Sequence, residues 1–410
     1  MREAIIGGGA AGLMCAAAIN EQNPEAEVFL IEKNDSLGKK VIISGGGRCN
    51  VTTGIQDVRI VLSKYPRGSK FLSSAMHRFP PEAVQQWFED QGVALKGEAD
   101  QRVFPVSNQS KDVVGAFEKF FADNNTKILL NHYVRGIEKE GKRFIVHFKN
   151  QPSLTVDKVI LTLGGQAYRQ TGSAGDGYGL AESLGHHITE LAPSLSSLTS
   201  KESWPAEVAG TSFAKATFKV HGKKHYEFTG PFVFTHWGVS GPAVFALSSL
   251  IAFEKFSPTA PIKIYLDLAP DLSINEVLFK IKSFMESDPK KLFKYTLHQL
   301  IPLSLAAIAV DQIGIKKEKK NHEISKQELR QAAEWFKRSP LTITGRRPGE
   351  EFVTAGGVDL AEVNSSTMES KICPGLYFAG EILNVDGYTG GFNLQAAWAT
   401  GHLAGRQSSI

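Results

Sequence analysis

Hydrophobic and polar positions along the chain change period several times, and each change marks a predicted element. Residues 1–6 form a short apolar run, followed at once by Gly7-Gly8-Gly9-Ala10-Ala11-Gly12 and an apolar helical pattern over 13–19. This order predicts a strand, a glycine turn and a helix. A second strand is predicted over 26–31, ending at Glu32. Pro80-Pro81 opens a predicted helix over 82–90 that Gly92 closes, and a second helical pattern covers 111–121. Residues 127–130, 134–139 and 143–148 read as strands, the last two joined at Glu140-Gly141-Lys142. The run 156–163 is continuously apolar and ends in Gly164-Gly165, which suits a buried parallel strand.

From about residue 191 the texture changes. Short β-like runs at 216–220, 226–228, 231–234 and 262–266 alternate with turns and predict a small β domain. Residues 273–338 read as helical, without a good strand. Strand-and-glycine patterns then return at 352–358 and 375–381, and a final helix is predicted from Leu394 to about residue 403. The predicted class is α/β. A discontinuous domain, 1–190 plus 345–410, carries an inserted β domain over 191–270 and an α-helical subdomain over 271–344. At 410 residues the chain exceeds one ordinary core, which agrees with this division. There is no internal repeat and no low-complexity segment.

The chemistry begins at the glycines. Gly7, Gly9 and Gly12 have the G-x-G-x-x-G spacing. Gly7 permits the tight turn, Gly9 lets backbone approach a pyrophosphate, and Gly12 lets the helix pack on the strand. The helix N-terminus offers unpaired N–H groups to phosphates. Glu32 lies 20 residues after Gly12, where an acidic residue accepts hydrogen bonds from ribose hydroxyls. The run Ser44-Gly45-Gly46-Gly47-Arg48-Cys49-Asn50 gives a backbone that can lie against a flat ligand. Arg48 can neutralise phosphate and Asn50 can donate to a ring carbonyl; the alternative is a flexible loop with Cys49 buried. In Thr171 to Gly179, Asp176 either caps the following helix or touches ligand.

Composition narrows the picture modestly. With 42% hydrophobic and 21% charged residues the chain is globular, and a net charge of +4 does not by itself imply nucleic acid. Residues 280–338 hold 13 Lys or Arg against 7 Asp or Glu, a local excess of +6. Its densest part is Lys316, Lys317, Lys319 and Lys320: a solvated face, or a contact for an anionic partner such as RNA. Cys15, Cys49 and Cys373 form no C-x-x-C pair, so no metal site or dithiol centre is expected. A sparse, odd set fits a reducing cytosol, and a cytoplasmic protein is the expectation. No apolar run reaches the roughly 20 residues a bilayer span needs, so no membrane partner is expected.

Taken in order over essentially the full chain, the leading motif, the Ser44–Asn50 run, the Thr171–Gly179 loop and the Gly375–Ala397 tail resemble the BaiN-type, aminoacetone-oxidase-like FAD-dependent oxidoreductases. The resemblance implies FAD, a two-dinucleotide-type flavoprotein fold with a partly open β-barrel insert and a helical subdomain, and hydride transfer at the flavin. It implies that Gly7, Gly9, Ala10, Ala11, Gly12 and Glu32 hold the ADP half. Lys33, Lys40, Gly46, Arg48, Cys49 and Asn50 would follow the pyrophosphate and flavin. Gly164 and Gly165 would end beside the dinucleotide, and Gly380, Glu381, Gly391, Phe392 and Asn393 would close over the ribityl chain and ring. One position departs: Asn384 stands where Asp is common, and a neutral amide brings donors as well as an acceptor. No second G-x-G-x-x-G unit is present, so NAD(P)H is expected only as a transient reductant. Candidate proton donors are His236, Tyr388 and Cys49. The expected substrate is a small molecule. The alternatives are uridine reduction in ribosomal RNA, using the basic insert, or amine oxidation of the aminoacetone-oxidase type. The oligomeric state is not indicated.

Overall fold

The structure, a computed structural model, describes residues 1–221 and 224–410, the side chain of residue 221 excepted. It divides into two compact units, Met1–Ser194 with Glu351–Ile410, and Leu195–Glu350.

The first unit is built on a five-stranded parallel sheet in the order Leu376–Phe378, Lys158–Leu161, Arg2–Ile6, Glu27–Ile31, Thr126–Leu129. The strand that opens the chain is central, and its residues from Glu3 to Ile6 are buried. That burial explains its short apolar run, as in other parallel sheets covered on both faces. C-terminal sequence therefore enters the same sheet as N-terminal sequence, beside Lys158–Leu161. A three-stranded meander, Val134–Glu140, Arg143–Phe148 and Leu154–Val156, is a separate small sheet. The chain leaves and re-enters this unit through an antiparallel pair, Ala192–Ser194 with Val353–Ala355.

Helices Ala10–Gln22 and Phe392–Ser408 pack on one another through backbone rather than through large side chains. A Cβ at Gly401 would sit 2.3 Å from the Ala11 carbonyl oxygen, and one at Gly405 would sit 2.4 Å from that of Cys15. On its sheet side the first helix is as tight: a Cβ at Gly12 would lie 1.9 Å from the Gly7 carbonyl oxygen. The outer face of the C-terminal helix is held by Trp398, which is fully buried, packs edge-on to Phe88 and stacks on Phe117, and donates to the Val51 carbonyl at 2.9 Å.

The second unit contains a closed six-stranded barrel, in the order Leu198–Ser200, Gly238–Ser240, His225–Thr235, Ser212–His221, Ile262–Asp267, Ser339–Arg346. The family resemblance implies a partly open barrel; the barrel here is closed. The closing strand is Ser339–Arg346, which follows the helical segment and pairs with both Ile262–Asp267 and Leu198–Ser200. Its sequence, SPLTITGR, begins with Ser-Pro and ends in Gly-Arg, so its β character is confined to a few central residues. The helices Ile274–Ser287, Phe293–Leu297, Leu303–Gln312 and Lys326–Arg338 have no core of their own. Val277, Ile281, Leu305 and Phe336 join Phe218, Phe234 and Ile343 of the barrel in one apolar cluster.

The two-helix contact predicts the sign of a substitution. In an open helix, Gly→Ala stabilises by about 1 kcal/mol. Here Gly401→Ala is expected to destabilise, because the new methyl meets a fixed carbonyl, and overpacking costs about 1–3 kcal/mol. Urea unfolding measures it, and a stabilised variant would contradict the close packing.

Candidate functional site

At the carboxyl end of the first strand, Gly7 turns the chain with φ +114° and donates to the Ile31 carbonyl at 2.8 Å. Gly8 N–H donates to Glu32 Oε2 at 2.8 Å, and Glu32 Oε1 accepts from the Asn34 backbone and amide at 2.9 and 2.7 Å. The Glu32 carboxylate is thus fixed over the glycine turn. Gly9 is the N-cap of the first helix, which has no side-chain cap, and a Cβ at Gly9 would meet nothing within 4 Å. Ala10 and Ala11 begin that helix, so its unpaired N–H groups face open space beside Glu32. A cleft at these strand ends is lined by Gly7, Glu32, Lys33, Tyr133, Gly172 and Asp176. Strand ends of this kind are where ligands bind in open α/β sheets. Lys33 forms an ion pair with Asp176. The N-cap of helix Asp176–Ser183 is Gly175, so Asp176 lies in the first turn and directs its carboxylate to the lysine.

The glycine-arginine run follows a short helix, Lys39–Ile43. Gly45, Gly46 and Gly47 have φ of +57°, +69° and +85°, a left-handed path that needs glycine. A Cβ at Gly46 or Gly47 would meet nothing within 4 Å, so this backbone presents a bare face. Arg48 is held sideways: it pairs with Glu98 at 2.7 Å and lies 3.8 Å over the Phe104 ring. Asn50 Oδ1 accepts from Val103 N–H at 3.2 Å. Cys49 is fully buried, and burial pushes its thiol up to about 12, so it stays protonated at ordinary pH.

The tail converges on the same strand ends. Glu381 accepts from Lys40 Nζ at 2.6 Å and from Thr354 N–H at 2.9 Å. A Cβ at Gly380 would lie 2.7 Å from Ala11 Cβ, and one at Gly165 would lie 2.8 Å from Glu381 Oε1. Gly164 turns beside them with φ +75°. Gly391, with φ +89°, is the N-cap of the C-terminal helix, again without a side-chain cap. Phe392 is buried and its carbonyl accepts from Tyr65 OH at 2.6 Å. The Asn393 amide is turned back on its own loop, accepting from Gly387 N–H and donating to Gly387 O, each at 2.8 Å. Burial raises the Tyr388 phenol above its ordinary range. Asn384 Oδ1 is buried and has no partner among the described residues.

Sequence reasoning passed over the residue that anchors this loop. Asp386 is fully buried, takes a two-point ion pair from Arg67 and accepts from Ser194 Oγ at 2.8 Å. The Asp-Gly pair in the tail was a visible signal, whereas nothing in the local sequence marks Arg67. Gln395, also fully buried, joins the loop to Phe79, whose carbonyl accepts from its amide at 3.0 Å.

Gly7, Gly9, Gly12, Glu32, Lys33, Lys40, Gly164, Gly165, Gly380 and Glu381 therefore gather around the ends of adjacent strands within the first unit. His236 belongs to the second unit, where it is exposed in the tight turn between His225–Thr235 and Gly238–Ser240. Lys316, Lys317, Lys319 and Lys320 belong there too. Lys319 is paired with Glu328 at 2.6 Å, and Lys317 lies 3.8 Å from Asp311. Among the described residues no three His, Cys, Asp or Glu are grouped to hold a metal ion, and no helix is long and apolar enough to cross a membrane.

The thiols yield a direct test. Cys15, Cys49 and Cys373 are all buried, and burial raises all three. The folded protein at pH 8 is expected to resist iodoacetamide until denaturant is added. A thiol that reacts as fast as free cysteine would contradict this, and its identification by mass spectrometry as Cys49 would make that residue a candidate nucleophile.

Comparison with known proteins agrees with this arrangement. Residues 1–407 match the HI0933-like protein Rossmann domain family. The chain is 30% identical to a 3-dehydro-bile acid delta(4,6)-reductase of Clostridium scindens, over 100% of this chain and 99% of that protein. It is also 30% identical to a ribosomal RNA dihydrouridine synthase of Haemophilus influenzae, over 97% of this chain and 96% of that one. Among solved structures, the 3-ketosteroid delta1-dehydrogenase of Sterolibacterium denitrificans shares the fold with a TM-score of 0.52 and 11% identity, over 99% of both chains. The chain belongs to the HI0933-like family and is an FAD-dependent oxidoreductase of the BaiN type.

Proposed function

We propose that this chain holds FAD in the cleft at the carboxyl ends of its parallel strands and reduces a carbon–carbon double bond conjugated to a carbonyl. The observation that carries the reading is the uncapped helix N-terminus at Gly9, open to a ligand and set beside the fixed carboxylate of Glu32. Helix N–H groups would take the pyrophosphate charge, and Glu32 would accept from ribose hydroxyls. The bare backbone of Gly46 and Gly47 and the free acceptor of Asn384 suit the rest of the group. Lys40 and Glu381, joined across 341 residues of sequence, would hold the tail against the cofactor.

The names of the two relatives support the reaction. A delta(4,6)-reductase of a 3-dehydro bile acid and a dihydrouridine synthase both denote saturation of a ring double bond. In a 3-oxo ring with a Δ4 bond, and in uracil, that bond is conjugated to a carbonyl. When bound, FAD reduced by NAD(P)H would supply the hydride chemistry for such a bond. The electron pair of the bond would be drawn toward the carbonyl oxygen, and the near carbon would take a proton. Tyr388, kept protonated by burial, is the candidate donor within the first unit. The chain's own contribution is orientation of the bond and delivery of that proton.

A second reading places the double bond in a uridine of ribosomal RNA. It is favoured by the excess of basic side chains in 280–338, 13 against 7 acidic, and by the dihydrouridine synthases among the relatives.

The test is anaerobic. The visible flavin spectrum is expected to bleach with NADH or NADPH and to return when a 3-oxo-Δ4 steroid or a uridine-containing RNA is added, with two hydrogens gained by the product. A reduced flavin that only oxygen reoxidises would overturn the proposal and indicate an oxidase.

A further inference from the structure

The basic character of the helical segment is not spread along the Lys316–Lys320 run; the fold gathers it from two separated stretches. The segment after helix Ile274–Ser287 runs beside residues 319–322. Leu292 and Lys320 form an antiparallel bridge, Phe293 N–H donates to the Lys319 carbonyl at 3.0 Å, and Asn321 N–H donates to the Lys291 carbonyl at 2.9 Å. Lys290 and Lys291 are thereby set beside Lys320, although some 30 residues separate them in sequence. All three are exposed, as is Lys316. Among the described residues none of the four ammonium groups forms an ion pair, although the Glu323 carboxylate accepts from the Lys320 backbone N–H at 2.7 Å; Lys317 is near Asp311 and Lys319 is bound to Glu328.

A buried amide fixes the two stretches. Asn321, 1% exposed, accepts from Thr296 Oγ1 at 2.9 Å and donates to the Asp288 carbonyl at 2.7 Å. Lys319 adds a second tie, because Glu328 also caps helix Lys326–Arg338 through Ser325. The lysine-bearing backbone is therefore tied together at several points, and a preformed surface loses less freedom on binding.

We infer that Lys290, Lys291 and Lys320, with Lys316 at the margin, form a phosphate-contacting surface for single-stranded RNA. The inference rests on the RNA reading of the proposed function. The ammonium groups would bind the backbone without reading sequence, positioning the strand while the base is selected elsewhere.

The experiment compares three full-length, FAD-loaded proteins binding a fluorescent oligouridine across a salt series. One is wild type. One is Lys290→Glu/Lys291→Glu/Lys320→Glu. The third, Lys111→Glu/Lys142→Glu/Lys149→Glu, makes the same change in net charge on exposed lysines of the other unit. Flavin absorbance and unfolding curves confirm that each is folded. The patch variant is expected to bind at least about tenfold more weakly at ~0.1 M salt, and its log–log salt slope to be shallower by about 2, near 0.7 for each of three lost phosphate contacts. The control is expected to change less than about threefold. Equal weakening in both variants, or a wild type that does not bind, would overturn the surface. A wild type that binds through the patch yet leaves uridine unreduced when NADH or NADPH is supplied with ribosomal RNA would sustain the surface and refute the RNA-substrate reading.

Discussion

Backbone-to-backbone contact around the first helix is the constraint on which the rest of the first unit depends. The helix must begin at Gly9 with its N–H groups uncovered, so no side chain can hold it at that end. It is held instead along its flanks. Gly12 meets the Gly7 carbonyl on one side, and Gly401 and Gly405 meet the carbonyls of Ala11 and Cys15 on another. Each contact leaves less room than a methyl group needs. The same logic brings Gly380 against Ala11 and Gly391 against the Thr52 carbonyl. The glycines therefore serve two opposite ends: at Gly9, Gly46 and Gly47 they leave space, and at the others they remove it.

This arrangement accounts for the discontinuity of the chain. The C-terminal helix is required as the second wall of the first one, and the strand Leu376–Phe378 brings it there through the sheet. The loop between them is then anchored by Asp386, whose buried carboxylate satisfies Arg67 and Ser194. Removing one partner of such a pair strands a charge and costs about 3–5 kcal/mol. Ser194 also closes the antiparallel pair through which the insert leaves the unit, so one carboxylate serves both the loop and the entry to the insert.

Much of this was legible in the sequence because it depends on local chemistry. The spacing Gly7, Gly9, Gly12 followed by Glu32 specifies a turn, an open helix end and an acidic group by backbone geometry alone. The continuous apolar run ending at Gly164-Gly165 declared a buried parallel strand for the same reason. What was not legible depends on distant partners. Strand Ser339–Arg346 is short in β-forming residues and exists because two barrel strands lack neighbours. Nothing local in the sequence shows that Arg48 pairs with Glu98 and lies over Phe104, or that the Asn393 amide closes its own loop. Gly401 and Gly405 are invisible as packing residues until Ala11 and Cys15 are seen opposite them.

The account rests on the open backbone at Gly9, and FAD binding to a Gly9→Val variant tests it most directly. A Cβ at this position touches no protein atom, so the variant is expected to fold with unchanged urea stability, apart from the modest cost of a β-branched cap residue. Its affinity for FAD, titrated into apoprotein, is expected to fall by at least about a hundredfold, because the side chain would occupy the space of the pyrophosphate. A folded Gly9→Val protein that still binds FAD stoichiometrically and tightly would contradict the central claim.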